Sequence, residues 1–160
     1  QQVINVNRAF RHPDYNSKNL SNDIMLLKLS TQAKLNGQVR PLSLPNARFQ
    51  VKLGQVCSVA GWGRLAAPKG EIADKLQETD LIIQNDEECE TRFKSYNKTI
   101  QLCAGDPEEN NTVFSGDSGG PLVCKNVAQG IISYGKKSGK PPMIYTNISS
   151  FLPWIKKTMK

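Results

Sequence analysis

The chain has 160 residues, with 21 Lys+Arg against 14 Asp+Glu, a formal net charge of +7 and 38% hydrophobic residues. That balance suits one packed domain, or a small domain with part of a second, and excludes wholesale disorder. No apolar run approaches the ~18 residues of a membrane span; the longest block, Ile24-Met25-Leu26-Leu27, is strand-sized.

The chain starts at Gln1, and no charged, apolar and small-residue pattern of a signal peptide follows. It is therefore expected to be a processed product or a piece of something longer. Short β-type runs broken by Gly, Pro, Asn and Asp then predict an all-β barrel or sandwich. In chain order the predicted strands cover 2–6, 23–29, 56–60, 75–84, 99–103, 121–125, 127–134 and 143–147. Between them lie His12-Pro13-Asp14, Asn36-Gly37, Pro68-Lys69-Gly70 and the Ser138 to Pro142 stretch, all turn chemistry. Val56 to Ala60 alternates as a half-buried antiparallel strand does. One helix is predicted, at the end: Ser149 or Ser150 caps it, Pro153 sits in its first turn, and Lys156, Lys157 and Lys160 face the negative end of its dipole. Phe151, Trp154, Ile155 and Thr158 share one face of it. A polar, basic linker over 45–54 divides a short front part, 1–45, from a longer back part, 46–148, with the helix over 149–160.

Four cysteines, Cys57, Cys89, Cys103 and Cys124, allow two bridges in three connectivities. Their spacings lack paired C-x-x-C hooks and the single histidine is His12, so neither a metal nor a cofactor is expected. Sequons at Asn19, Asn97, Asn110 and Asn147, together with disulfide-capable cysteines, favour an oxidising secretory route and a glycoprotein. From Pro107 to Lys160 there are seven Lys and three acids. No recognition motif or aromatic platform accompanies that excess, so nucleic acid is not the expected partner.

Gly116-Asp117-Ser118-Gly119-Gly120-Pro121 carries the chemistry. Serine is a poor nucleophile: it needs a base, a tight turn that presents Oγ, and N–H groups aimed at an oxyanion. Glycines on both sides permit such a turn and let a carbonyl approach the backbone. With Ser21 to Leu27, Gly61-Trp62-Gly63, Ser133-Tyr134-Gly135 and Trp154-Ile155, this stretch makes the sequence resemble the chymotrypsin-like serine proteases over nearly its whole length. The wording of Cys57 to Gly63, Ser133 to Gly135 and Phe151 to Lys156 resembles granzymes and mast-cell proteases most, as does the lack of a further pocket-framing cysteine pair.

The resemblance implies an all-β, chymotrypsin-like antiparallel β-barrel fold, with the C-terminal barrel nearly complete, only the tail strands of the N-terminal one, and a C-terminal helix. It implies Ser118 as nucleophile, the N–H groups of Gly116 and Ser118 as oxyanion hole, Asp23 as the carboxylate that orients a histidine, and Ser133 hydrogen-bonded near it. It implies the bridges Cys57–Cys124 and Cys89–Cys103. Asp117 would receive the ammonium of a cleaved N-terminus, as in a zymogen-derived enzyme, and without that cation its loop is expected to relax or hydrate. The primary pocket would be lined by Thr112 at its base, six residues before the nucleophile, with Val113, Ser133, Gly135 and Met143. Threonine at that base disfavours Lys or Arg, and Met143 narrows the pocket toward a medium apolar side chain.

The family's base lies in an A-A-H-C-type motif well ahead of the aspartate. His12 is set aside as that base: it lies 11 residues before Asp23, precedes Pro13 and matches a different turn of the family. The expectation is a granzyme-like serine endopeptidase whose 160-residue chain is inactive alone, its remnant front strands showing open edges and bare apolar faces. The alternatives are a catalytically dead binding or decoy homologue, or a truncated isoform. Expected partners are peptide and protein substrates, protease inhibitors and a sulfated proteoglycan on the basic surface, in a secreted or granule-stored protein.

Overall fold

The computed structural model describes residues 1–46, 50–66, 69–108 and 116–160. Among them β1 (Val6–Arg11) and β2 (Met25–Leu29) pair antiparallel as a two-stranded sheet. β3 (Val56–Gly61), β4 (Gln77–Ile82), β5 (Gln101–Ala104), β6 (Pro121–Cys124), β7 (Val127–Tyr134) and β8 (Met143–Asn147) form a second, all-antiparallel sheet in the order β4-β3-β6-β7-β8-β5. Its two outer strands meet. Ile83 bridges Ala104, flanked by the Gly105 N–H on the Ile82 carbonyl and the Gln84 N–H on the Cys103 carbonyl, both at 2.9 Å. The six-stranded sheet thus closes on itself, which is how an antiparallel sheet disposes of its exposed edges.

Alternation explains the packing. In β3, Cys57 and Val59 point inward and are buried while Val56 faces out. They meet Leu81, Leu102, Leu122 and Tyr145 in one core, with Leu122 and Tyr145 fully buried. Of the three connectivities the chain adopts Cys57–Cys124, tying β3 to β6, and Cys89–Cys103, tying a helix to β5. Of the predicted linker, Pro45 is buried, Val51 packs on the barrel core, and the Gly54 N–H donates to the Ile83 carbonyl at 2.9 Å.

Among the described residues there are two helices where one was expected. α1 (Asp86–Arg92) starts on Asn85, whose side chain accepts from the Glu88 N–H, and only Cys89 of its seven residues is buried. Short and polar, it carries no apolar stripe for periodicity to find. α2 (Ile148–Thr158) is capped by Asn147, not by Ser149 or Ser150, because β8 runs straight into it; Pro153 therefore lies inside the helix rather than in its first turn. Its face of Ile148, Phe151 and Ile155 is buried against Ala128 and Ile131 of β7, against Leu26 of β2 and against Ile24 just ahead of β2, so α2 joins the two sheets.

The first strand also differs from expectation. It spans Val6–Arg11 rather than 2–6, and its residues are mostly exposed. Cross-strand pairing with β2 and the Arg8 guanidinium over the Phe10 ring hold it, not an alternating apolar face. On β2, Met25, Leu27 and Leu29 are 48%, 52% and 43% exposed, an apolar stripe left open to solvent.

Candidate active site

Asp23 lies just ahead of β2 at the end of a contorted turn in which Leu20 and Asn22 have φ of 55° and 54°. Asparagine tolerates that left-handed conformation, and the Asn22 amide fixes it by donating to the Asp14 carbonyl at 2.9 Å. The half-buried Asp23 belongs to the front sheet by sequence but is tied to the barrel. Ser133 Oγ donates to Asp23 Oδ2 at 2.7 Å, and Thr146 Oγ1 donates to the Asp23 carbonyl at 2.8 Å. Ser133 is the extra residue of a bulge in β7, where Ile132 and Tyr134 pair with the adjacent Tyr145 and Ile144 of β8. Bulges re-aim side chains, and this one accompanies the hydroxyl that meets the carboxylate.

Ser118 is exposed at the mouth of a tight turn. Gly116 has φ 107° and Gly119 has φ 87°, a region that costs an L side chain steric strain. The Gly120 N–H closes the turn on the Asp117 carbonyl at 3.0 Å, and the Gly119 N–H and the Ile132 N–H bind it to β7 at 2.9 Å each. At Gly116 a Cβ would stand 2.9 Å from the Gly63 Cα, so the backbone of the Gly61-Trp62-Gly63 segment presses directly on the turn. A cavity of about 500 Å³ runs between Asp23 and Ser118, floored by Ile131 and Ile132 and bordered by Arg11 and Tyr15.

His12 does not fill that cavity's role. Its Nδ1 accepts the Asp14 N–H at 3.2 Å, and its ring packs against Phe151 and Trp154 of α2, with centroids 5.2 and 4.9 Å away.

Asp117 is half-buried, and its Oδ1 accepts the Gly63 N–H at 2.7 Å; residues 109–115, ahead of it in the loop expected to relax, lie outside the described residues. A Cβ at Gly61 would collide with its carboxylate. Beside it lies a cavity of about 180 Å³ lined by Val59, Gly61, Arg64 and Glu78. Burial, and then the Asp117 charge, push the Tyr145 hydroxyl well above the usual phenol range.

Met143 opens β8 and is buried, with its Sδ and Cε lying where any side chain at Gly135 would have to go. Thr112, Val113 and the sequon Asn110 lie outside the described residues. Among the described residues, no group of three His, Cys, Asp or Glu side chains is placed to hold a metal ion, and no helix is long and apolar enough to cross a membrane.

Sequence reasoning missed Thr146 and Asn22, which hold the backbone on either side of the Asp23 carboxylate. The Asn22 signal was available, since an Asn before Asp in a polar turn is a left-handed candidate. Thr146 gave none, because its partner lies 123 residues away.

The trypsin family model matches residues 1–155. Granzyme B(G,H) of Mus musculus is 60% identical over 161 aligned residues, covering 100% of this chain and 65% of that protein. Cathepsin G of Mus musculus is 52% identical over all of this chain and 60% of its own length. A solved structure described as "Structure of GrC" superposes with a TM-score of 0.93 at 50% identity, covering 99% of this chain and 70% of that one. The chain thus spans somewhat under two thirds of the length of the curated relatives it matches.

Proposed function

The chain belongs to the trypsin family of chymotrypsin-like serine proteases, and from that premise we propose that it carries the nucleophile, orienting carboxylate and oxyanion donors of a granzyme-like serine endopeptidase. The observation that supports this most is the pairing across one cavity of an exposed Ser118 in a glycine turn with an Asp23 held by Ser133. In this reading Ser118 Oγ attacks the scissile carbonyl and an imidazole takes its proton. The leaving amine takes that proton back, and water hydrolyses the acyl-enzyme. The N–H groups of Gly116 and Ser118 receive the oxyanion, each worth about 2.7–4 kcal/mol of transition-state stabilisation in comparable sites. Asp23 holds the imidazole in its working tautomer.

The imidazole comes from outside these 160 residues, because His12 is engaged with Asp14 and α2. The chain alone is therefore inactive. Asp117 and the small cavity beside it receive the ammonium of an activated N-terminus. With Thr112 and Val113 at the base and Ser133, Gly135 and Met143 above, the primary pocket takes a small or medium apolar side chain; Met143 lying on Gly135 supports that narrowing. Residues 1–45 belong to the N-terminal barrel, 46–148 form the C-terminal barrel and 149–160 its closing helix. The protein is secreted or granule-stored, acts on proteins, meets protease inhibitors, and binds sulfated proteoglycan through its basic surface.

The test is fluorophosphonate labelling with turnover of peptide substrates. Residues 1–160 alone are expected to show neither. The same residues joined behind the amino-terminal part of mouse granzyme B(G,H) are expected to show both, each abolished by Ser118→Ala. Turnover by the 160-residue chain itself, lost in Ser118→Ala and in His12→Ala, would overturn the assignment.

A further inference from the structure

The turn between α1 and β5 holds the sequon Asn97-Lys98-Thr99 inside the loop closed by Cys89–Cys103. Asn97 is exposed, and its Oδ1 takes two hydrogen bonds from the sequon's own third residue: Thr99 Oγ1 at 2.6 Å and the Thr99 N–H at 3.0 Å. Both donors fix the amide plane and assign the oxygen, leaving Nδ2 as the remaining edge of an exposed amide. The backbone around it is anchored. The Asn97 carbonyl accepts from the Ile100 and Gln101 N–H groups, and its own N–H donates to Gln101 Oε1 at 2.9 Å. These bonds span two to four residues, so the turn can form in a nascent chain before the barrel does.

Asn147-Ile148-Ser149 makes the same pair of bonds, from Ser149 Oγ at 2.7 Å and the Ser149 N–H at 3.2 Å. There, however, the amide caps α2, the residue is half-buried at the end of β8, and its N–H donates to the Ile100 carbonyl. Added bulk at that position would stand between the barrel and its helix. At Asn19 the turn is closed by the Ser21 N–H at 3.1 Å, and Ser21 is itself bridged to Asn16.

We propose that Asn97 is an N-glycosylation site of this chain. The proposal rests on the secretory reading above. In the reaction Asn97 Nδ2 forms a bond to the anomeric carbon of a lipid-diphosphate-linked oligosaccharide. The anomeric C–O bond breaks with its electron pair going to the diphosphate, and one amide proton is released. The glycan stands on the exposed side of the α1–β5 turn.

The experiment is translation of the chain, behind a grafted signal sequence, into microsomes, with lumenal import confirmed by protease protection. The glycan is read by peptide amidase treatment and by mass mapping of the Asn97 peptide, neither of which requires the chain to fold. The wild-type chain is expected to carry a glycan at Asn97. Asn97→Gln and Thr99→Ala should each lose it, and Thr99→Ser should keep it. Unmodified Asn97 in imported wild-type chain, or an amidase-sensitive shift unchanged in Asn97→Gln, overturns the proposal. A glycan at Asn97 in microsomes but none on protein from its native source would count against the secretory reading and leave the acceptor assignment standing.

Discussion

The two sheets solve the same problem in opposite ways. The six-stranded sheet closes through the Ile83–Ala104 bridge and buries a continuous core. The two-stranded sheet has no such closure: Leu26 and the adjoining Ile24 pack on α2, while Met25, Leu27 and Leu29 stay exposed. A two-stranded ribbon is marginal by itself, so the front is held in place chiefly by what it borrows from the barrel and α2. Stability is therefore concentrated behind Ser118, and the carboxylate in front of it depends on the connection between the two regions.

Disulfide removal is the largest way to probe that contrast. Replacing Cys57 and Cys124 by Ser frees a 67-residue separation inside the barrel and is expected to cost about 4 kcal/mol by loop-entropy reasoning. Chemical denaturation of oxidised and substituted proteins measures it, and a cost near zero would mean that β3–β6 pairing alone fixes the barrel. Core truncation sharpens the difference between regions. Leu122→Ala should cost about 2–5 kcal/mol, whereas Leu27→Ala, on the bare stripe, should change stability by less than about 0.5 kcal/mol. Similar losses at both positions in denaturant titrations would break the comparison.

Ser133→Ala probes the connection. Loss of the hydrogen bond to the Asp23 carboxylate should cost about 1.5 kcal/mol. Hydrogen exchange should then speed up in β1 and β2 while β6 and β7 keep their protection; uniform acceleration would show that the front is not a separately opening unit. The smallest effect is an alkaline one. Burial raises the hydroxyl pKa of Tyr96, Tyr134 and Tyr145 in the folded chain. The folded state therefore retains protons that the unfolded state releases above about pH 10. Stability should be flat below that value and fall as pH rises past it. Thermal melts monitored alongside tyrosinate absorbance test this, and an increase in stability over the same range would contradict the burial.

Legibility in the sequence followed the same division. In the barrel, alternation in Val56 to Ala60 and the apolar runs of β6 to β8 announced strands near their true positions, because tertiary burial there matches the local period. In the front, Val3, Ile4 and Val6 look like a strand, yet β1 begins only at Val6 and runs on through the more polar residues after it, and Val3 is 89% exposed. Pairing with β2 overrides local pattern there. α1 left a trace that periodicity does not read: Asn85 with Glu88 three residues on, then Arg92 at the far end, all of it capping and dipole chemistry rather than burial. The Ser118 turn was legible from its glycines, since their positive φ is a local demand. The Asp23–Ser133 contact, 110 residues apart, was reachable only through family resemblance.

The hydroxyls of Ser133 and Thr146 have one more implication. They belong to the rear half, yet they grip both the side chain and the main chain of Asp23. Evolution is thus free to vary the ribbon's outer surface while the acid stays registered to the nucleophile, as a tenon stays seated however the plank beyond it is carved. Hybrids that exchange residues 6–11 between relatives should keep that seating. Exchanges at 133 or 146 should lose it.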